Sequence, residues 1–448
     1  MDKEKIEFHK SRRTEFAKLI GDDSIAVIFG NTLINKSYDA NYNFKQHKNF
    51  YYLTGFLEPD SALMLASNGI KYYDFDKNKE AAAKEILFVQ EKDETKETWT
   101  GVRLGKENVK KELGIEDAKE NFDLPDFLNG NWMKKYRKLY MNFADLLLLT
   151  GDMKEFTSLF IEGIRTFAPE IQILDSTNIL GKMRRRKSTY ELKLIQKAAD
   201  ISANAFNETM KKIKPDMQEY QVQANLDYHY RNNGASDHAY PPICASGNHA
   251  NILHYEVNND TLKEGDMILI DSGAEYDYYC SDITRTYPIS GKFTKEQKEV
   301  YEIVLNANKL CIKKSKEGLS FNDLKEYCDK VLTEGMFSKG ILKNKKLYKK
   351  YTIHGVGHHL GLDTHDAVPY KINKELQDKL VVGDVITIEP GVYFPIGSKD
   401  IPKKYWGIGV RIEDDVVIGK NGCYNLTHAA VKEIEDIEKL MSQKEFIL

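Results

Sequence analysis

The pattern of apolar and polar positions predicts an α/β domain in the first part of the chain. Apolar side chains recur at near-helical spacing over residues 6–20, which predicts a first helix. Short apolar runs bounded by glycine or Asp-Pro predict strands, and a second helical stretch precedes the last of them. The predicted strands are residues 25–29, 50–53, 62–65, 86–89 and 171–174, and the second helix is residues 156–167.

A basic run at residues 182–187 is followed by a pattern typical of a helix start. Ser188 and Glu191 have the spacing of a capping box, and a long helix to about Ile213 is predicted beyond them. We therefore expect two domains, at residues 1–178 and 179–448. The basic run is expected to be solvated rather than a nucleic-acid patch, and the Lys-rich residues 339–350 to form a solvated loop.

The composition is that of a soluble globular protein. Hydrophobic residues make up 41% of the 448 residues and charged residues 30%, with a net charge of -3, so no overall field favours nucleic acid or an anionic membrane. The five cysteines are widely spaced and odd in number, which favours a reducing compartment. The N-terminal residues have no apolar signal segment, and no apolar run approaches the roughly 20 residues of a spanning helix. These features predict a cytoplasmic protein.

Histidines and strand-end carboxylates are the candidate chemistry. Four of the eleven histidines fall within residues 354–365, and histidine is the commonest metal ligand. An apolar strand ends at Asp271, and a hairpin turning near Asp277 would bring Asp282 to the same face. Two adjacent carboxylates repel each other unless a cation lies between them.

Two further apolar runs end in Glu389 and Glu413. About four negative charges on these carboxylates balance two divalent cations, and oxygen-rich ligation with one imidazole suits Mn, Co or Zn. Two metals roughly 3.5–4 Å apart would hold a hydroxide between them. The sequence therefore predicts one convergent metal site in the second domain.

These residues resemble the ligands of the dinuclear pita-bread metallopeptidases. The motifs are similar to those of the Xaa-Pro aminopeptidase (aminopeptidase P) and prolidase branch, and motifs of the first domain are similar to aminopeptidase P. The motifs are Asp271-x-Gly, Asp282-x-Thr-Arg-Thr, His354-Gly-x-Gly-His358, Glu389-Pro-Gly, Arg411-Ile-Glu413, and, in the first domain, Ser37-x-Asp39-x-x-Tyr42, residues 50–55 and 99–105. The resemblance implies an α/β N-terminal domain and an α+β C-terminal pita-bread catalytic domain with a curved, mainly antiparallel sheet.

The resemblance also implies a role for each matching residue. Five residues would bind two divalent ions, most simply Mn²⁺, with Zn²⁺ or Co²⁺ as alternatives. Asp271 would bind one ion, His358 and Glu389 the other, and Asp282 and Glu413 would be shared between them. Glu389 would also be the general base. The remaining residues would serve the substrate: His254 and His365 at the tetrahedral intermediate, His354 and Tyr393 at the proline-side pocket, Arg411 behind the carboxylates, and Asp39 reaching a neighbouring subunit's site.

The implied reaction is release of the N-terminal residue from peptides with proline in second position, through a hydroxide that bridges two metals. The implied enzyme is a homo-oligomer, either a dimer or a tetramer. A prolidase specific for Xaa-Pro dipeptides is the main alternative, followed by a methionine aminopeptidase and by an inactive or metal-free pita-bread module. His359 also stays open as a ligand in place of His358.

Overall fold

The computed structural model of the chain describes residues 2–74, 77–128, 135–142, 152–371 and 378–443. The chain divides into two compact units, Met1–Met183 and Arg184–Leu448. Within the described ranges, no helix combines the length and the apolar character needed to cross a bilayer.

A mixed six-stranded sheet forms the centre of the first unit. The strands of this unit are β1 (Ser24–Phe29), β2 (Asn35–Ser37), β3 (Ala40–Asn41), β4 (Ala62–Asp74), β5 (Lys79–Val89), β6 (Asp117–Glu120), β7 (Lys138–Met141) and β8 (Gln172–Asp175). The sheet has the order β6-β5-β4-β1-β7-β8, in which only β4 is antiparallel to its neighbours. This arrangement confirms the predicted α/β class.

Helices and short turns connect these strands. The helices are α1 (Lys3–Ile20), α2 (Lys48–Thr54), α3 (Glu94–Thr100), α4 (Gly105–Leu113), α5 (Leu124–Leu128), α6 (Asp152–Phe167) and α7 (Thr177–Arg185), with a 3-10 turn at Asn121–Asp123. The predicted first helix and the predicted helix at residues 156–167 are confirmed by α1 and α6. The strands predicted at residues 25–29, 62–65, 86–89 and 171–174 are confirmed by β1, β4, β5 and β8, although β8 begins and ends one residue later than predicted.

The strand predicted at residues 50–53 is wrong, because these residues lie in α2. The His47 side chain accepts a hydrogen bond from the Phe50 amide and caps the helix, and Gly55 ends it with a φ of 67°. All residues from Asn49 to Thr54 are buried. The aromatic run therefore reflects burial on every side of a short helix, and an apolar run this short does not distinguish that state from a strand.

Antiparallel strands and long helices form the second unit. The helices are α8 (Thr189–Lys212), α9 (Glu219–Asn232), α10 (Lys295–Lys314), α11 (Phe321–Ser338) and α12 (Ile434–Met441), with 3-10 turns at Gly247–Asn251, Lys345–Lys350 and Lys403–Tyr405. The strands are β9 (Asp237–His238), β10 (Ile243–Ser246), β11 (Met267–Ser272), β12 (Ala274–Tyr276), β13 (Tyr279–Cys280), β14 (Ile283–Pro288), β15 (Val385–Ile388), β16 (Gly391–Phe394), β17 (Ile408–Arg411), β18 (Asp414–Ile418) and β19 (Cys423–Asn425).

The strands of the second unit pair as β10-β11-β14, β13-β12-β9, β15-β18-β19 and β16-β17, and every pair is antiparallel. Apolar faces of the helices and the strands form a large hydrophobic core, and a smaller apolar cluster lies on the opposite face of β10 and β11. The predicted capping box is confirmed at the start of α8, where the Ser188 amide donates to Glu191 Oε2 at 2.8 Å and the Glu191 amide donates to Ser188 Oγ at 3.3 Å. The two bonds satisfy amides that a helix start leaves without partners.

The prediction that the basic run at residues 182–187 is solvated is wrong for three of its members. Arg184 and Lys187 are only 2% and 5% exposed, and Arg185 donates from Nε to Asp384 Oδ1 at 3.0 Å. These cations bond to aspartates about 180 to 200 residues later in the chain, which the local sequence does not reveal. The Lys-rich residues 339–350 are mostly exposed, as predicted, but contain the 3-10 turn Lys345–Lys350.

Asp74, at the end of β4, supports a prediction about acid stability. Its buried carboxylate accepts from Lys77 Nζ at 2.9 Å and from Lys119 Nζ at 3.0 Å. Burial opposes ionisation, but the two lysines hold the pKa of Asp74 well below its usual range. A depressed folded-state pKa contributes stability above the unfolded-state value near 4 and loses it as the pH falls. Asp74→Asn should therefore lower the free energy of unfolding by about 3 kcal/mol near pH 7.

The difference in unfolding free energy between wild type and Asp74→Asn should shrink as the pH drops below about 4. Urea unfolding curves between pH 3 and pH 7 measure this difference. A difference that stays constant over this range would contradict the assignment.

Candidate functional site

The β11–β14 pair places two aspartates beside each other. Asp271 on β11 pairs with Thr284 on β14, and Asp282 precedes Thr284 by two residues and so lies on the same face. The connecting hairpin turns at Asp277, with a φ of 46°, as predicted. The Tyr240 hydroxyl lies 2.5 Å from Asp271 Oδ1 and also within hydrogen-bond distance of Asp282 Oδ1. The two carboxylates thus share one hydrogen-bonding partner.

Two glutamates enter the same cavity from the ends of β15 and β17. The Glu413 amide donates to the Thr284 carbonyl at 3.0 Å, which joins the end of β17 to β14. The Thr284 hydroxyl then donates to Glu413 Oε2 at 2.7 Å. Glu389 follows β15, and its amide donates to the Val356 carbonyl at 2.9 Å. Backbone hydrogen bonds therefore fix the backbone positions of both glutamates.

The histidine-rich segment packs against β15 and presents His358 to the carboxylates. The His358 amide bonds to Thr387 Oγ1 at 3.1 Å, and the Thr387 amide donates to the His358 carbonyl at 2.9 Å. This close approach requires Gly357, because a Cβ there would lie 1.9 Å from the Thr387 carbonyl oxygen. His358 Nε2 lies 3.4 Å from Asp282 Oδ2 and 3.8 Å from Glu389 Oε1.

The orientation of the His358 ring suits a metal ligand. Its Nδ1 lies 3.1 Å from the His359 carbonyl oxygen, which can only accept a hydrogen bond. Nδ1 therefore carries a proton, and Nε2 is the nitrogen that faces the carboxylates. Ligand atoms of Asp282, His358 and Glu413 all lie within 4.8 Å of one another. Oxygen and imidazole donors at this spacing fit a divalent cation.

The charges of the site favour a bound cation. Burial, together with the charges of Asp282 and Glu389, raises the pKa of Glu413 well above its usual value. Burial raises the pKa of Glu389 to about 7 against the opposing charges of His358 and Arg411. It also raises the pKa of Asp271. A divalent cation would relieve this repulsion among buried carboxylates.

A hydrogen-bonded chain runs from Asp271 to His354. Arg411 donates from Nη2 to Asp271 Oδ2, from Nε to Thr284 Oγ1 at 3.1 Å and from Nη1 to the Tyr393 oxygen at 2.9 Å. The Tyr393 hydroxyl donates in turn to His354 Nε2 at 2.7 Å, because His354 Nδ1 lies 2.8 Å from the Gly355 carbonyl and must carry the proton. Burial, followed by the Arg411 charge, lowers the pKa of His354 to about 3, so this ring is neutral near pH 7.

The four carboxylates, His354, His358 and Arg411 line one open cavity of about 560 Å³. His254 and His365 also line it, and the His365 ring centroid lies 4.2 Å from that of His358. The lining residues are Tyr240, Pro241, Ile243, Leu253, His254, Glu256, Asp271, Asp282, His354, Gly355, Gly357, His358, Thr364, His365, Tyr370, Glu389, Arg411 and Glu413. The cavity thus combines acidic, imidazole and apolar surface.

The family model for metallopeptidase family M24 matches residues 193–420, and the model for the aminopeptidase P N-terminal domain matches residues 9–140. The chain belongs to metallopeptidase family M24. The M24 match spans the segments that carry all of the site residues described above.

Similar proteins extend the match to the whole chain. Xaa-Pro aminopeptidase 3 of Dictyostelium discoideum is 37% identical over 98% of this chain and 84% of its own length. Xaa-Pro aminopeptidase of Haemophilus influenzae is 35% identical over 98% of this chain and 97% of its own length. The solved structure of Pseudomonas aeruginosa aminopeptidase PepP has a TM-score of 0.89 and 32% identity, with 98% of both chains covered. This M24 protein is therefore a metal-dependent exopeptidase with an aminopeptidase P N-terminal domain and a pita-bread catalytic domain.

Three residues considered for the site lie apart from this cavity lining. Tyr393 is 1% exposed and contacts His354 and Arg411 through its hydroxyl. His359 is 2% exposed and packs edge-on against Phe321 at 5.2 Å between ring centroids, and its amide bonds to the Tyr370 hydroxyl. Its ring is thus in the core, while His358 faces the carboxylates. Asp39 lies at the exposed turn of the β2–β3 hairpin in the first unit.

The structure adds two residues that sequence reasoning on this M24 chain missed. Tyr240 lies between Asp271 and Asp282, and Asp415 Oδ2 accepts from the Asp282 amide at 3.0 Å and from Ser281 Oγ at 2.9 Å. Tyr240 comes three residues before Ile243, which pairs with Asp271. The register of β10 against β11 is the signal that would have identified Tyr240.

Proposed function

We propose that this enzyme removes the N-terminal residue from peptides whose second residue is proline. The observation that carries the proposal is the convergence of four carboxylates and His358 on one cavity, on a chain similar over its whole length to Xaa-Pro aminopeptidases. An Xaa-Pro bond has no amide hydrogen, so a peptidase that anchors this hydrogen cannot hold it. A site can hold this bond if its acidic groups attract the free α-ammonium group and a pocket beside them accepts the proline ring.

We propose that five residues hold two divalent cations: Asp271 on one, His358 and Glu389 on the other, and Asp282 and Glu413 on both. The spacing of Asp282, His358 and Glu413 supports this proposal, as does the raised pKa of three of the four carboxyls. Mn²⁺ is the ion we propose, since oxygen-rich ligation with one imidazole suits it. When bound, the cations would supply Lewis-acid activation of a water and of the scissile carbonyl.

The protein groups then have separate tasks. Glu389, whose Oε2 lies 3.4 Å from His354 Nδ1, takes the proton of the attacking water. His254 and His365 bind the substrate and stabilise the oxyanion, and both line the cavity. His354 forms the wall beside the proline ring, and the Tyr393 hydroxyl orients it from behind by donating to its Nε2. Arg411 and Tyr240 hold the Asp271 carboxylate, which fixes the metal ligands.

We further propose that the enzyme acts in the cytoplasm and forms a homo-oligomer in which Asp39 approaches the site of a neighbouring subunit. Five free cysteines, four of them buried, support a reducing compartment. The exposure of Asp39 on a hairpin turn leaves it available for contact with another subunit.

A peptide panel tests the function. With Mn²⁺, Ala-Pro-Ala should be cleaved to Ala and Pro-Ala at least about 100-fold faster than Ala-Ala-Ala, because only the first places a proline ring in the pocket. Product release is measured by chromatography. Faster cleavage of the dipeptide Ala-Pro than of Ala-Pro-Ala would instead identify a prolidase, and selective cleavage of Met-Ala-Ala a methionine aminopeptidase. Absence of cleavage of every peptide with metal bound would contradict the proposal.

A further inference from the structure

The loop of residues 358–366 carries both His358 and His365. Its last residue, Asp366, forms ion pairs with two cations from the start of the second unit. Asp366 is 3% exposed, and its Oδ1 accepts from Arg184 Nη2. Its Oδ2 accepts from Lys187 Nζ at 2.9 Å. Arg184 also bonds to Asp363 in the same loop. Two cations of the basic run, Arg184 and Lys187, therefore bond to this loop rather than to solvent.

The loop folds tightly around the Asp366 carboxylate. The Asp366 amide donates to the His359 carbonyl at 2.9 Å, and the Ala367 amide donates to Asp366 Oδ1 at 3.2 Å. Gly361 is required here, because a Cβ would lie 2.4 Å from Asp366 Oδ2 and 3.0 Å from Lys187 Cε. The carboxylate is thus bonded both to the cations and to the loop that surrounds it.

The cluster depends on the charge of Asp366. Although burial opposes ionisation, Arg184 and Lys187 hold the pKa of Asp366 well below its usual range. Removing one partner of a buried ion pair leaves the other charge uncompensated, which is strongly unfavourable. A neutral side chain at position 366 would leave two buried cations with less negative charge and would loosen their hold on the loop.

The two histidines of the loop differ in their supports. The amide and the carbonyl of His358 both bond to Thr387, which lies on β15 and outside the Asp366 cluster. His365 is joined directly to Asp366 and presents its ring to the cavity. Loss of the ion pairs of Asp366 with Arg184 and Lys187 should therefore displace His365 more than His358.

We propose that Asp366, held by Arg184 and Lys187, is a positioning residue that fixes the His365 imidazole against the substrate. This inference rests on the proposed function, in which His365 binds the substrate. In this proposal, a buried ion cluster in the second unit determines where the His365 ring lies relative to the substrate.

The test is a double-mutant cycle between Asp366→Asn and His365→Ala. Asp366→Asn should lower kcat/KM for Ala-Pro-Ala about 10- to 100-fold, as expected for a catalytic group displaced by about 1 Å, while Mn²⁺ content stays at the wild-type level. The double variant should be no slower than His365→Ala alone within about twofold, because the two residues act through one imidazole. A merely structural role would give multiplied losses instead.

The matched control is Asp74→Asn, which makes the same change in a buried carboxylate gripped by two lysines in the first unit. It should keep kcat/KM within about twofold. If Asp366→Asn does not fold, the cycle is run with Lys187→Met, which leaves Arg184 on Asp366, and the same lack of additivity is expected with a smaller loss.

Three results would overturn the proposal: multiplied losses in the cycle, loss of Mn²⁺ together with activity in Asp366→Asn, or an equal loss in Asp74→Asn. Failure of the proposed function is distinguishable from these. In that case wild type does not select peptides with proline in second position, or His365→Ala alone leaves kcat/KM unchanged.

Discussion

Glu389→Gln should lower kcat for Ala-Pro-Ala by about 10³-fold or more, with little change in thermal stability. The amide keeps the shape of the side chain but cannot accept the proton of the attacking water, and proton transfer by a positioned group contributes up to about 10⁴-fold. In the cavity, Glu389 Oε2 lies 3.4 Å from His354 Nδ1 and Glu389 Oε1 lies 3.8 Å from His358 Nε2. Steady-state kinetics at saturating Mn²⁺ and a thermal melt measure the two effects.

The matched control is Glu191→Gln in the same unit. Glu191 is 1% exposed and accepts from the Ser188 amide in the capping box of α8, a role that glutamine also fills. This variant should keep wild-type kcat. Metal analysis of Glu389→Gln separates its two proposed tasks, since loss of the base alone leaves the metal content intact. Turnover near the wild-type rate with metal bound would show that Glu389 is not the base.

Removing divalent cations with a chelator should abolish hydrolysis and also lower the melting temperature. The four carboxylates then have only Arg411 and His358 as positive neighbours, and burial already raises the pKa of Asp271, Glu389 and Glu413. A ligand that binds only the folded state stabilises it by about 2.7 kcal/mol at about 100 times its Kd. Calorimetry with and without added Mn²⁺, Zn²⁺ or Co²⁺ measures the stabilisation separately from activity.

A parallel titration of Asp282→Asn provides the comparison. This variant removes one carboxylate from the group formed with His358 and Glu413, so the rise in melting temperature on adding Mn²⁺ should shrink. Full activity after exhaustive chelation, or an equal rise in the variant, would contradict the metal site at these residues.

The sequence indicated the candidate site where predicted apolar strands end in acidic residues. Apolar runs that end in Asp271, Glu389 and Glu413 indicate both a buried strand and a carboxylate at its edge, and the same combination repeats at all three positions. The hairpin at Asp277 followed from two predicted strands separated by a short Tyr-rich connection, residues 276–279. The structure confirms that hairpin and the α/β class of the first unit.

The errors arose where burial or a partner far away in the sequence decides the structure. Phe50 and its neighbours look like a strand because a fully buried short helix has the same composition. Arg184 and Lys187 look solvated because Asp366, which neutralises them, is about 180 residues away. Tyr240 was missed because its role depends on the register of β10 against β11. Local pattern carries none of these long-range pairings.

The amide of Glu413 bonds to the carbonyl of Thr284, across 129 positions of chain. A growing polypeptide therefore lacks the complete proposed ligand set until translation has passed residue 413 and strands from both ends of the unit have paired. Such distant pairing is slow compared with local helix formation. Metal binding would consequently follow tertiary folding. The folded domain, rather than exposed segments of the growing chain, would then determine which ion binds.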